Sequence, residues 1–194
     1  MHADSWALKA KKLGFRSRAV FKLEEILIKT KALKNNSFVL DIGCAPGSWS
    51  ELVKAMTPSS HVYAIDLLPM DPIDGVMFFK DDIINIDEIK EISSLKSKFN
   101  LVISDLAPNL TGIRAVDEEN IFELNIITQN TAKSYLSKNN GSFIIKTFQN
   151  SLLKKLRTEM EKSFHLVQTY NLLLQRVSQE KFIYMEKDHY EFSF

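Results

Sequence analysis

A single cysteine, Cys44, stands in a chain of 194 residues. No internal disulfide can form, which excludes a disulfide-stapled secreted scaffold and fits a reducing intracellular compartment, with cytoplasm, nucleolus and mitochondrion all left open. Histidine is also sparse. His2, His61, His165 and His189 are scattered, and no His/Cys cluster has metal-ligand spacing, so no metal site is expected. No apolar run reaches the roughly 20 residues that span a bilayer, and the opening MHADSWALKAKK lacks the apolar core of a secretory signal. A soluble chain with no membrane partner is the expectation. The net charge is only +1, so a nucleic-acid partner has to be argued from a local patch.

With 45% hydrophobic and 25% charged residues, the chain reads as one domain, 1–194, able to bury its own core and expected to act as a monomer. A local basic patch lies at its start. Lys9, Lys11, Lys12, Arg16, Arg18 and Lys22 fall within 14 residues, with no acid between Asp4 and Glu24. Ser17 is placed to cap a helix Arg18–Lys29 whose apolar face is Val20, Leu23 and Leu27. Residues 1–30 therefore read either as a solvated basic helix or as a surface that holds RNA phosphates.

The chain is organised around SFVLDIGCAPGSWSE, Ser37–Glu51. Phe38, Val39 and Leu40 form a β-favouring run that ends on Asp41 and enters a loop in which Gly43 and Gly47 permit tight turning and close approach to a ligand. Ser48 is a candidate N-cap for a helix Trp49–Met56. A dinucleotide loop would read G-x-G-x-x-G, but the second and third glycine places hold Ala45 and Ser48. Pro46 also removes an N–H that a pyrophosphate would use. Asp41 would repel a pyrophosphate, yet suits a ligand carrying an ammonium and a sulfonium, such as S-adenosylmethionine. The next apolar strand, His61–Ile65, closes on Asp66, where a carboxylate can accept from ribose hydroxyls.

Beyond this loop, short apolar runs alternate with amphipathic segments. Val76–Phe79 reads as a strand ending near Asp82, Ile86–Ser97 as a helix, and Asn100–Ser104 as a strand ending on Asp105. Val116–Ser137 reads as a long helix with Ile121, Leu124, Ile127 and Leu136 on one face. Ser142–Lys146 is a strand, Ser151–Glu161 a helix, and Phe164–Tyr170 and Lys181–Glu186 are final strands with no helix between them. The pattern predicts an α/β fold with a mostly parallel, doubly wound sheet, helices on both faces and an antiparallel hairpin at the end.

Ligand and chemistry in such sheets gather where strands end. The residues there are Asp41, Asp66, Asp82, Asp105 and Lys146. Lys146 is unusual, because an ammonium following Phe143-Ile144-Ile145 at a functional sheet edge is costly without an acid, and Asp105 is the natural partner. A structural lysine whose stem reaches solvent is the competing reading. Two acids and such a lysine suit methyl transfer to a hydroxyl, where the difficulty is the oxygen's proton.

RSRAVFKLEEI, DIGCAPGSWS, DLLPMDPIDGV, SDLAPN, SFIIKTFQ and SQEKFIY, in this order over nearly the whole chain, resemble the FtsJ/RrmJ family of ribose 2′-O-methyltransferases. The resemblance implies a Rossmann-like class I methyltransferase fold with a seven-stranded sheet and S-adenosylmethionine as methyl donor. It also implies RNA as substrate and a Lys–Asp–Lys–Glu tetrad of Lys22, Asp105, Lys146 and Glu180. Cofactor contacts map to Gly47, Trp49, Asp66, Asp82 and Asp105, beside Asp41, Gly43 and Pro46 of the loop itself. The DLLPMDPIDGV stretch resembles the branch acting on large-subunit rRNA, which implies a uridine target in that RNA, with a ribosomal particle as one form of the substrate. An RNA contact at Arg176 is the corresponding expectation in TYNLLLQRVSQE, a segment that lacks the proline usual there.

Other readings stay in view at this stage. A base-nitrogen methyltransferase would want an aromatic after Asp105, where the chain has Leu106-Ala107-Pro108-Asn109. An idle RNA-binding factor would have no need of all four tetrad residues, and a dehydrogenase is disfavoured by the missing glycines.

Overall fold

The apolar runs become seven strands of one sheet: β1 Phe38–Ile42, β2 His61–Asp66, β3 Val76–Lys80, β4 Leu101–Ser104, β5 Ser142–Phe148, β6 Leu166–Tyr170 and β7 Glu180–Glu186. These come from a computed structural model that describes residues 3–170 and 180–187, so the RNA contact expected at Arg176 lies outside the described residues. The strand order is β3-β2-β1-β4-β5-β7-β6. β1 to β5 pair in parallel, while β7 runs antiparallel between β5 and β6. The chain moves outward from β1 through β2 to β3, then restarts on the other side of β1 with β4. That reversal opens a crevice at the C-terminal ends of β1 and β4, where open α/β sheets bind ligands.

Helices cover both faces because alternate strand residues are apolar on each. Val39, Val62, Leu101, Ile144 and Phe182 face one layer, α2 (Val20–Thr30) and α3 (Ser48–Met56), with Ala10 of α1 (Ala3–Lys12) at its margin. Leu40, Ile42, Val102, Phe143 and Ile145 face the other, made by α4 (Lys90–Ser93), α5 (Arg114–Tyr135) and α6 (Leu153–Glu161). Leu23 and Ile26 of α2 are completely buried, each a hydrophobic gain of about 2 kcal/mol. That seating fixes the orientation of the helix and, with it, of Lys22.

Four local expectations are corrected. α2 begins at Val20 with Ala19 as its N-cap and no side-chain cap, and among the described residues Ser17 accepts from the Ala19 N–H at 3.3 Å, so it does not cap the helix. Ser48 lies inside α3, whose N-cap is Gly47. The helix expected over Ile86–Ser97 is instead a 3-10 turn, Ile83–Glu88, followed by the short α4. Asp82 starts that turn by accepting from the Ile84 N–H at 3.1 Å, and Ile89 in an extended conformation interrupts it; β-branched and Asx residues favour such breaks. Finally, α5 buries Asn125, Thr128 and Gln129 beside Ile121, whereas Ile127 is exposed. Most of the polar stripe is bonded: Asn125 donates to Thr147 Oγ1 at 2.8 Å, Thr128 Oγ1 to the Leu124 carbonyl at 2.8 Å and Gln129 Nε2 to the Glu159 carbonyl at 3.3 Å, while Gln129 Oε1 has no partner among the described residues.

Candidate active site

The crevice is built first by the loop after β1. Gly43 and Gly47 have φ of +74° and +106°, which favours glycine at both. Their missing side chains make room for protein: a Cβ on Gly43 would stand 2.4 Å from the Leu106 side chain, and one on Gly47 2.7 Å from Met70 Sδ and Ile73 Cδ1. Their amides are also used within the chain, Gly43 donating to the Ile65 carbonyl at 2.8 Å and Gly47 to that of Cys44 at 2.6 Å. Both glycines thus let neighbouring loops approach closely. Pro46 is exposed on the loop, and its carbonyl accepts from Arg16 Nη1 at 2.9 Å.

Acids surround this loop in two ways. Asp66, at the end of β2, accepts from the Ala45 N–H through Oδ2 and from the Leu68 N–H through Oδ1, both at 2.8 Å. The carboxylate is thereby fixed between two loops with lone pairs left for hydroxyl donors. Asp82 stands one strand further out, at the end of β3. Asp41 is corrected. It is completely buried, so its side chain has no surface with which to touch a ligand. Burial raises its pKa to about 7, opposed by the hydrogen bond from Ser50 Oγ at 2.7 Å and assisted by Asp105 and Asp66. Its Oδ1 has no hydrogen-bond partner among the described residues.

At Trp49 the side chain and the backbone play different parts. Its indole is buried, donating to the Ala19 carbonyl at 3.3 Å with its ring 6.1 Å from that of Phe182. Only its backbone amide, in the first turn of α3 where N–H groups lack intrahelical acceptors, is placed for a ligand. Cys44 is a buried filler whose thiol pKa is pushed up by burial and by Asp41 and Asp66.

The expected tetrad assembles from three directions. Register puts Lys146 opposite Phe182 and Phe148 opposite Glu180, so all four project from one sheet face. That face carries α2, which delivers Lys22. Asp105 follows Ser104, the partner of Ile145, and so comes level with Lys146. Lys146 Nζ forms an ion pair with Asp105 Oδ1 and donates to the Asp105 carbonyl at 2.9 Å. Lys22 Nζ forms an ion pair with Glu180 Oε2. The two lysine side chains are only 13% and 12% exposed. Burial lowers the pKa of Lys22 to about 8, with Asp105 opposing and Arg18 and Lys146 adding to the shift. All four groups therefore sit within one electrostatic neighbourhood.

The basic start of the chain divides. Lys11, Lys12 and Arg18 are exposed, as a phosphate-holding surface requires. Arg16 turns inward: Nε pairs with Glu51 Oε1 at 2.7 Å, Nη1 donates to the carbonyls of Pro46 and Asp71, and Nη2 to that of Pro72. Composition alone grouped Arg16 with the patch, and its long-range partners left no local signal. Among the described residues no helix is long and apolar enough to cross a membrane, and no His/Cys/Asp/Glu group could hold a metal ion.

A model of the FtsJ-like methyltransferase family matches residues 15–187. A curated protein of Francisella tularensis subsp. novicida, "Ribosomal RNA large subunit methyltransferase E", is 39% identical over 167 residues, 82% of this chain and 81% of that protein. A crystal structure described as a ribosomal RNA methyltransferase of Plasmodium falciparum superposes with a TM-score of 0.79 at 31% identity, covering 89% of this chain and 98% of that one. Human methyltransferase-like protein 13 in complex with SAH, at 15% identity, shares the fold with a TM-score of 0.63 over 86% of this chain and 82% of its own. With the matched region running from the basic segment through the strand that carries Glu180, the chain belongs to the FtsJ-like methyltransferase family.

Proposed function

We propose that the protein methylates a ribose 2′-hydroxyl of RNA with S-adenosylmethionine as donor, and that the target is a uridine of large-subunit ribosomal RNA. The observation that carries this reading is the meeting of Lys22, Asp105, Lys146 and Glu180 beside the crevice. Its acids fit the donor: Asp66 has acceptor capacity left for ribose hydroxyls, Asp82 closes the next strand, and the buried carboxyl of Asp41 lies beneath the loop. First-turn amides of α3 suit the donor's carboxylate. When bound, S-adenosylmethionine supplies a methyl group on a positively charged sulfur.

The chain's own residues deal with the hydroxyl. Lys146, anchored on the Asp105 carboxylate and carbonyl, presents an oriented positive charge to the 2′-oxygen as it loses its proton. Lys22, whose charge is disfavoured by burial, can take up a proton near neutral pH. Glu180 holds Lys22 in place. Lys11, Lys12 and Arg18 hold phosphates, which positions RNA without reading its sequence. The enzyme is further read as a monomer acting in a reducing compartment, where Cys44 remains a thiol.

The test is transfer of a labelled methyl group to naked rRNA, to a large-subunit particle and to tRNA, followed by alkaline digestion. Label in an alkali-resistant dinucleotide of large-subunit rRNA is expected. Label on a base, or no transfer to any of the three RNAs, overturns the reading.

A further inference from the structure

We infer that Arg16 is a positioning residue that ties the RNA-facing segment to the donor loop, and is not itself a phosphate anchor. Arg16 lies between α1, which carries Lys11 and Lys12, and α2, which carries Lys22. Its guanidinium reaches the loop after β1 at Pro46 (2.9 Å), the loop after β2 at Asp71 (2.8 Å) and Pro72 (3.0 Å), and α3 at Glu51 (2.7 Å). Its own backbone N–H also donates to Glu51 Oε2 at 3.3 Å. Four of its five N–H donors are thereby engaged inside the protein.

The contacts lie at the crevice's rim. The space over Gly47 that a Cβ would fill is bounded by Met70, Ile73 and Arg16 Nη1, the last at 3.2 Å. Arg16 therefore sets how far the Met70–Ile73 loop stands from the loop that the preceding section assigns to the donor. Hydrogen bonds from a charged donor are stronger than neutral ones; here the bond to the Glu51 carboxylate is part-buried and those to the three carbonyls are exposed, and only a planar fork serves several carbonyls and a carboxylate together. Lysine cannot substitute. Because the same side chain fixes the backbone between α1 and α2, order in the donor loop and order in the RNA-facing segment are coupled, and the coupling is reciprocal.

This inference rests on the reading of the crevice as the donor site, and its experiment separates the two. Wild-type, R16K, R16A and E51Q proteins are titrated with S-adenosylhomocysteine by calorimetry. RNA binding is then measured against salt concentration, with and without S-adenosylhomocysteine, and circular dichroism establishes folding. R16A and R16K are both expected to bind S-adenosylhomocysteine at least tenfold more weakly. Their salt slope for RNA binding should stay that of wild type, whereas a lost phosphate contact lowers it by about 0.7 to 0.9. S-adenosylhomocysteine should tighten RNA binding about fivefold or more in wild type, and not in R16A. E51Q keeps an acceptor and tests the same bracket if R16A does not fold; its S-adenosylhomocysteine affinity should fall at least threefold. Wild-type affinity in R16A or E51Q, rescue by R16K, or a reduced salt slope overturns the inference. Wild-type protein that binds no S-adenosylhomocysteine overturns the donor-site reading, and this inference with it.

Discussion

Lys22 and Glu180 form an ion pair across 158 positions of sequence, linking α2 to the first residue of β7. The pair stands over buried ground, with Lys22 Nζ 5.9 Å from the centre of the Phe182 ring. Burial is the largest cause of the fall in the Lys22 pKa to about 8 from an ordinary 10.5. Two consequences follow from that direction. The neutral amine becomes more abundant as pH rises towards 8, so methyl transfer should rise over the same interval in wild type. Lys22→Arg, which stays charged, should lose this limb and about 10²-fold or more in rate. Unfolded Lys22 keeps its proton up to about pH 10.5, so between pH 8 and 10.5 the unfolded chain holds more protons and stability climbs with pH. Lys22→Met should remove that climb. A pH–rate profile and denaturation at pH 8 and 10 measure the two effects, and a Lys22→Arg profile identical to wild type contradicts the assignment.

Lys146→Ala separates chemistry from binding. The ammonium is held by Asp105 at both side chain and carbonyl, and Nζ stands over the Phe148 ring, 5.9 Å from its centre. Removing it takes away the charge offered to the 2′-oxygen while leaving the glycine loop and Asp66 untouched. Transfer should fall by about 10³-fold or more, with S-adenosylhomocysteine affinity within a few fold of wild type by calorimetry. Full activity in this variant would remove the proposed mechanism.

Asp41 makes a pH prediction of opposite sign. Its folded pKa is raised to about 7 from 3.8, chiefly by burial. Between those values the unfolded carboxyl is ionised and the folded one keeps its proton, so the folded chain holds more protons and stability falls as pH rises through the window. Asp41→Asn retains an acceptor for Ser50 and has no charge to bury. It should gain stability relative to wild type on going from pH 4 to pH 8, by at most on the order of 4 kcal/mol. Urea denaturation at the two pH values measures this, and a constant difference between the proteins would show that Asp41 is ionised throughout. Above pH 7 the wild-type carboxylate favours a positive sulfur, so Asp41→Asn should weaken S-adenosylmethionine several-fold more than S-adenosylhomocysteine.

Sheet and strand ends were legible because they depend on patterns local to the sequence. Apolar runs closing on Asp66, Asp105 and Lys146 mark parallel strands whose ends meet at one edge, and the final two runs without an intervening helix mark the antiparallel pair. Lys22 and Glu180 were not legible locally, since one lies on a helix and the other before a strand. Only the family resemblance named them, and register with helix packing explains their meeting. Conversely, Asp41, Trp49 and Arg16 have residue types that suit ligands, but their side chains are turned into the protein by contacts with Ser50, Ala19 and Glu51. Such partners lie 9, 30 and 35 positions away, distances at which pattern reading has no purchase on side-chain direction. The stripe on α5 failed for a related reason: Asn125 is buried because Thr147 receives its hydrogen bond, and hydropathy does not register that partnership.

The inward turn of Arg16 narrows the basic surface to residues that remain free to meet phosphate. Lys11 and Lys12 lie in the last turn of α1, exposed to solvent, with no acid nearer in sequence than Asp4 and Glu24. Each phosphate contact releases counterions, so its removal lowers both affinity and the steepness of salt dependence. The double variant Lys11→Glu/Lys12→Glu should therefore bind RNA at least tenfold more weakly at 0.1 M salt. Its plot of log affinity against log salt should be shallower by about 1.4 or more, two contacts at about 0.7 each. S-adenosylhomocysteine affinity should remain that of wild type, because neither lysine reaches the crevice loops as Arg16 does. Equal losses of RNA and S-adenosylhomocysteine binding would make these two lysines part of the fold's support, and would leave the exposed Lys9 and Arg18 to meet phosphate.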